Sequence, residues 1–328
     1  RDMQAFSIVE QEEDYNEEPY IKKAVRALGC PLHAKRVQHD DFIERMGKMT
    51  RFFDAPVTGI GMYLDGYLAE SVREAGFKVS ISGLCADEIF TGYYDHYLYW
   101  LAGRHGAADF DRLVGQWWQS HGRWVRNPLL RDPLAFVNDP GGRDHLFLNA
   151  PDINDFLHEP ASPQGHDKRF CTDLLRDRML NELRRETAPV YLFEGDLNWM
   201  YRSIENRTPF LDKPLVEFLA TVPSRHLIHD GFTKYLLRRI GEGVVAPEVL
   251  NLKRKTGFNA SMSLLLNRND PDICDLLLTE TPLFDIVRRD RMERLLDAST
   301  PVDGHNNLLF CLVSAQMFYL GLDDRLTA

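Results

Sequence analysis

The feature that most constrains this chain is an alternation, across its first hundred residues, of short apolar runs with longer amphipathic stretches. Ala5-Phe6-Ser7-Ile8-Val9 is a β-prone run. Glu18-Pro19 then opens a helix with Ile21, Ala24, Val25 and Leu28 on one face, and Gly29 stands where it can end. Leu32 to Val37 alternates as a second strand, and Asp40 to Met49 has helical spacing. Ile60, Tyr63, Leu64, Tyr67, Leu68, Val72 and Ala75 make a helical stripe that Gly76 stops. Lys78 to Ser82 is a third strand, and helix resumes from Ala86. Strands separated by helices predict an α/β fold with a mostly parallel sheet covered on both faces.

After Trp100 the pattern changes. Strand signals fade, and helical stripes broken by Pro and Gly take over. Asp139 to Gly142 and Glu159 to Pro163 are predicted loops. Thr172 to Ala188 is predicted as one long charged helix, Asp212 as the N-cap of another, and the last helix starts near Asn306. The expected organisation is an α/β layer over residues 1–100 and a mostly helical portion over 101–328.

Composition excludes several classes of function. The 328 residues carry a net charge of −10 with no clustered basic run, so nucleic acid is not an expected partner. No apolar run is long enough to span a membrane, and none is expected. The five cysteines, Cys30, Cys85, Cys171, Cys274 and Cys311, are scattered and odd in number. That argues against a disulfide scaffold or zinc ribbon and fits a cytoplasmic location.

Three clusters carry candidate chemistry. Ser82-Gly83-Leu84-Cys85-Ala86-Asp87-Glu88 follows a strand and opens a helix, where α/β proteins bind ligands. Gly83 lets the backbone approach a ligand, and the helix start offers N–H groups to an anion. Asp87 and Glu88 are oxygen donors suited to Mg²⁺, a hard cation that bridges carboxylates to phosphates. The same residues also read simply as a strand end and acids favoured by a helix dipole. The second cluster is Glu205 to Asp212. The third runs from Gly231 to Arg238 and on to Lys255-Thr256-Gly257-Phe258, and it sets Lys234 and Lys255 near glycines.

In this order the clusters resemble the synthetase domain of the asparagine synthetase family. The family's Ser-Gly-x-Gly-Ala-Asp-Glu-x-Phe-x-Gly-Tyr is matched by Ser82 to Tyr93. Its Glu-x-Arg-x-Pro-Phe-Leu-Asp is matched by Glu205 to Asp212, its Gly-x-x-Lys-Tyr-x-Leu-Arg by Gly231 to Arg238, and its Lys-x-Gly-Phe by Lys255 to Phe258. Asp54-Ala55-Pro56 resembles a further Asp-x-Pro. The stretch 101–190 has no counterpart in the resemblance.

The resemblance implies a sheet of the adenine-nucleotide alpha-hydrolase (ATP pyrophosphatase) type and a carbon–nitrogen ligase using ATP and Mg²⁺. Such an enzyme converts aspartate, ATP and ammonia from glutamine to asparagine, AMP and pyrophosphate through an acyl-adenylate. By this resemblance Ser82 and Gly83 form the nucleotide loop. Asp87 binds Mg²⁺–pyrophosphate with Glu88 supporting it, and Lys255 stabilises phosphate charge. Lys234 is a second phosphate contact, and Glu205 supports the attacking amine. Arg207 reads as structural. The partners implied are a small carboxylate acceptor and a glutaminase domain or subunit. Oligomeric state stays open, a homodimer included.

Departures in three places qualify the resemblance. The family's phosphate loop, Ser-Gly-Gly-x-Asp-Ser, is expected upstream of Ala5-Phe6-Ser7, before Arg1 or on another chain. The glutaminase domain is expected upstream as well. Leu84 stands where asparagine synthetases carry Glu, and leucine can neither accept a proton nor donate a hydrogen bond. Cys85 replaces a Gly. Two alternatives therefore stay open: a related amidotransferase acting on a sugar-acid or peptide carboxylate, and a non-catalytic scaffold or one subunit of a split enzyme.

Overall fold

The computed structural model describes residues 3–9, 16–37, 40–125, 127–146, 150–161, 168–255, 260–299 and 305–327. Its first unit is a strand β1 (Ala5–Val9), a helix α1 (Glu18–Leu28) and a strand β2 (Leu32–Arg36). The strands pair in parallel, Ala5 opposite Leu32 through Val9 opposite Arg36. Pro19 sits in the first turn of α1, where its missing N–H costs nothing. Gly29 ends the helix at φ 65°, a left-handed conformation that glycine adopts without strain.

Helices α2 (Phe42–Phe53) and α3 (Ile60–Glu74) follow. The expected stripe on α3 is buried at Ile60, Tyr63, Leu64, Tyr67 and Val72. Strand β3 (Val79–Ile81) leads into the short helix α4 (Ala86–Phe90), then α5 (Tyr94–Ala102) and α6 (Phe110–Ser120). The last helix, Asn306–Thr327, begins where expected.

Several details differ from expectation. The parallel pairing is present, but as two two-stranded sheets among the described residues, β1 with β2 and β3 with β4 (Glu205–Arg207). The outward residues of β3 are left open, with Val79 46% and Ile81 73% exposed. Strand β4 also lies in the stretch expected to be helical. Its sequence, Glu-Asn-Arg, carries no apolar alternation, so tertiary pairing rather than pattern makes it a strand.

The predicted helix 172–188 is in fact two, Leu174–Arg184 and Thr187–Tyr201. The backbone N–H groups of Arg185 and Glu186 both donate to the Asn181 carbonyl, which closes the first helix. The helix from Ala86 breaks as well, at Thr91, whose φ is 67°. Asp212 occupies its expected N-cap position, although its side chain makes no capping hydrogen bond.

One apolar cluster joins Ile8, Phe42, Met46 and Tyr63 to Leu265, Phe310 and Val313. A second joins Phe90, Tyr97 and Leu98 to Trp117, Leu175 and Leu227. Elements on both sides of position 100 thus share each core. No helix among the described residues is long and apolar enough to cross a membrane.

Candidate active site

The loop after β3 continues the strand pairing by one bond, from the Ser82 N–H to the Arg207 carbonyl at 2.9 Å. Gly83 is exposed, and a side chain placed there would meet nothing within 4 Å. The glycine therefore keeps this face of the loop open rather than filling a crowded turn. The Ser82 hydroxyl oxygen is buried without a hydrogen-bond partner. Cys85 holds a left-handed φ of 64°, a conformation that costs a non-glycine residue about 1–2 kcal/mol. The loop thus retains a backbone suited to glycine after a side chain has entered. Burial, helped by the charges of Glu88 and Asp87, pushes the Cys85 thiol up to about 12 and keeps it protonated.

Asp87 is the centre of the site. Lys255 Nζ lies 2.9 Å from its Oδ2, and Lys234 Nζ contacts Oδ1. Burial alone would raise the Asp87 carboxyl, but Lys255 and Lys234 outweigh it and hold the group well below the usual carboxylate range. Lys234 caps the short helix Tyr235–Ile240 at φ 54°, and its N–H donates to Thr91 Oγ1 at 3.4 Å. The Lys255 carbonyl accepts from the Tyr94 hydroxyl at 3.3 Å. Its ammonium stands 3.9 Å from the Tyr93 ring centroid, a favourable cation–π distance.

Gly92 makes this clamp sterically feasible. A side chain there would overlap the Asp87 carboxylate and come within 2.6 Å of Lys234 Cε. Thr256, Gly257 and Phe258 lie outside the described residues.

Asp87 and Glu88, adjacent in sequence, take different partners, as successive helical residues must. Glu88 is buried and accepts the Tyr93 hydroxyl at 2.7 Å. Burial raises its carboxyl, partly offset by that hydrogen bond. Glu205 lies on β4, more than half exposed, and accepts from Arg207 Nε at 2.9 Å. The clamp therefore gathers Asp87, Lys234 and Lys255, while Glu205 is engaged by Arg207. Leu84 faces the helix Thr187–Tyr201, 3.9 Å from where a side chain on Gly195 would begin.

Glu17, at the start of α1, was not singled out in the sequence. Burial raises its carboxyl, and the charges of Lys234 and Lys255 act on it. Nothing in the pattern distinguishes it from any acid opening a helix.

Behind Tyr93 lies a second ionic group, built from α5 and the helix Leu174–Arg184. His96 Nε2 meets Glu182 Oε2 at 2.6 Å. Arg178 donates from Nε to Asp95 at 3.0 Å, from Nη2 to Glu182 at 2.9 Å, and from Nη1 to Glu186. His145 Nε2 sits 3.2 Å from Asp95 Oδ2. Burial would push His96 down, but Glu182 and Asp95 hold it above the ordinary histidine range. One ligand atom each from Asp95, His96 and Glu182 lie within 4.8 Å of one another, a spacing compatible with a metal. The Arg178 guanidinium already bridges the two carboxylates and supplies the positive charge. The sequence shows Asp95 and His96 as unexpected members of an aromatic stripe. Arg178, Glu182 and Glu186, four residues apart in turn, are the sequence signal of this group.

The asparagine synthase family model matches residues 1–318. The chain is 22% identical over 321 residues to asparagine synthetase [glutamine-hydrolyzing] 1 of Bacillus subtilis, covering 90% of this chain and 48% of that protein. It is 27% identical over 243 residues to asparagine synthetase [glutamine-hydrolyzing] 3 of the same organism, covering 72% and 35%. The chain thus spans less than half the length of these relatives.

Proposed function

This chain belongs to the asparagine synthase family, and on that premise we propose that it carries the amide-forming site of an ATP-dependent, asparagine-synthetase-like ligase. The observation that carries this reading is the Asp87 clamp between Lys234 and Lys255. Two ammonium groups on one carboxylate form a site that can exchange partners. With a triphosphate bound, the lysines would pair with its oxygens, and Asp87 would be left to hold a hard cation. The donor set fits Mg²⁺ for that reason, and Asp87 is the residue that would hold it. Glu88 supports from behind through Tyr93. Bound Mg²⁺ would neutralise charge on the departing pyrophosphate.

In the reaction, a carboxylate oxygen of the acceptor attacks the α-phosphorus of ATP. An acyl–oxygen–phosphorus bond forms, the bond to the β-phosphate breaks, and pyrophosphate leaves. Lys255 and Lys234 stabilise the negative charge that builds on the phosphates, as fixed cations do in a partly desolvated site. Ammonia nitrogen then attacks the acyl carbon, the carbon–oxygen bond to AMP breaks, and the nitrogen loses a proton. Glu205 is the residue we assign to supporting the amine, which requires it to leave Arg207. The ammonia comes from glutamine through a glutaminase domain or subunit.

Leu84 favours a second reading within the same chemistry, an acceptor other than aspartate, because this position offers no proton-accepting group. The test is acid-dependent pyrophosphate release by the full-length protein with ATP, Mg²⁺ and ammonia. Release with aspartate, abolished by Lys255→Ala and Asp87→Asn, supports an asparagine synthetase. Release with another acid keeps the mechanism and changes the substrate. A folded protein that releases pyrophosphate with no acid contradicts the proposal.

A further inference from the structure

A cavity of about 610 Å³ lies apart from the clamp, and none of Asp87, Lys234 and Lys255 lines it. Its walls come from the end of α5, from α6, from the start of the helix Leu174–Arg184 and from the segment 220–230. Three of its arginines, Arg104, Arg112 and Arg176, belong to the stretch 101–190, which carries none of the motifs described above. We propose that this cavity is a second ligand site, built to take the phosphate group of a small organic phosphate monoester. The site stands independently of the adenylation reading.

Charge is the first reason. In a chain of net charge −10, four arginines line the cavity, the fourth being Arg225, against the three aspartates Asp109, Asp173 and Asp230. The pairing is less even than the count. Arg104 and Arg112 share one carboxylate, Asp109, at 2.9 and 2.8 Å, and their side chains remain 47% and 57% exposed, within reach of a ligand. Asp173 accepts the Arg176 backbone N–H at 3.0 Å and the Ser224 hydroxyl at 3.2 Å. Asp230 faces His229 Nε2 at 3.4 Å.

Arg176 is left short of a counter-ion. Its half-buried guanidinium donates to neutral acceptors, the Val222 carbonyl and, at 4.0 Å, the Met179 sulfur. Burial draws its pKa below the ordinary arginine range, and the charge of Asp173 offsets this only in part. Arg225 is exposed and meets no carboxylate among the described residues. A desolvated cation without a partner is costly, and an anion in the cavity relieves that cost.

Gln116 is the second reason. It lines the same cavity, and its Oε1 is buried without a hydrogen-bond partner. A half-turn of the amide presents its NH₂ to an anion instead.

A carboxylate brings two oxygens and one charge. A phosphate monoester brings three terminal oxygens and up to about two charges, so one group can engage more than one of these donors. The phosphate alone would leave most of the cavity empty, since sites of roughly 300–1,000 Å³ hold whole small molecules. Trp100, Val222 and Pro223 give the organic body that carries the phosphate an apolar wall.

The test is calorimetric titration of the full-length protein with phenyl phosphate, inorganic phosphate and benzoate. Phenyl phosphate should bind about tenfold or more tightly than benzoate, and more tightly than inorganic phosphate, with an affinity that falls as salt is added. Arg176→Met and Arg225→Ala should each weaken it about tenfold, as loss of a hydrogen bond to a charged group does. Lys255→Ala should leave it unchanged. Thermal unfolding confirms that the variants are folded, and Arg225 is exposed, so its removal leaves the core intact.

Absence of phenyl phosphate binding overturns the proposal. Benzoate matching phenyl phosphate overturns the phosphate class, and inorganic phosphate matching it overturns the role of the apolar wall. Unchanged affinity in both arginine variants overturns the location. Affinity lost in Lys255→Ala overturns it as well, because the anion then sits at the clamp.

Discussion

Asp87, Lys234 and Lys255 meet with side-chain exposures of 24%, 31% and 28%, whereas Arg178, Asp95 and Glu182 meet with exposures of 2%, 5% and 1%. The ions are of the same kinds, and the two groups lie on either side of Tyr93. Burial sets them apart. In the half-open clamp, water and ligand phosphates can replace one protein partner by another at modest cost. In the closed group, removing a partner leaves a charge in a low dielectric with nothing to meet it. The first is suited to binding and the second to holding α5 and the helix Leu174–Arg184 in register. Tyr93 joins them, with its ring against Lys255 and edge-to-face with His96, the partner of Glu182.

This contrast is broken most severely by Arg178→Met. It strands Asp95 and Glu182, and the expected loss of unfolding free energy is about 3–5 kcal/mol in urea titration. Lys255→Ala should do the reverse. Pyrophosphate release should fall about 10²–10³-fold, while stability changes by no more than about 1 kcal/mol, because the pair is partly solvated. A stability loss from Lys255→Ala as large as that from Arg178→Met would erase the distinction. Gly92→Ala should cost about 1–3 kcal/mol by crowding the clamp, and it should also lower activity, since Asp87 or Lys234 must shift.

The pH dependences should oppose one another. Asp87 is depressed when folded, so its contribution is present above the unfolded carboxylate value of about 4 and is lost as pH falls below it. His96 is raised, so its contribution is present below the unfolded histidine value of about 6.5 and is lost as pH rises through the folded value. Asp87→Asn should flatten the acid limb of a stability–pH curve, and Glu182→Gln the alkaline limb. The smallest effect is expected from Glu205→Gln. The exposed pair with Arg207 should leave the unfolding midpoint unchanged, so any effect should appear in the ammonia-dependent step alone.

Much of this was legible in the sequence where one local rule sufficed. Glu18-Pro19 and Gly29 delimit α1, the stripe from Ile60 lies on α3, and the run from Ser82 to Glu88 is the loop after β3. Other features depend on contacts that no local pattern encodes. Glu205 to Arg207 becomes a strand because β3 lies beside it. The helix 172–188 breaks because Asn181 takes two backbone donors and Arg178 reaches forward to Glu186. The clamp itself joins positions 87, 234 and 255. Only the resemblance to a known family linked them before the fold did. Glu17 and the Arg178 group carried no such motif.

The most direct test is the pair of rates of ATP–pyrophosphate exchange for the full-length protein and its Lys255→Ala variant, measured with saturating acceptor acid. The expected result is acid-dependent exchange that falls about 10²–10³-fold in a variant that unfolds at nearly the wild-type midpoint. Exchange undiminished in Lys255→Ala would contradict the clamp as the site of chemistry.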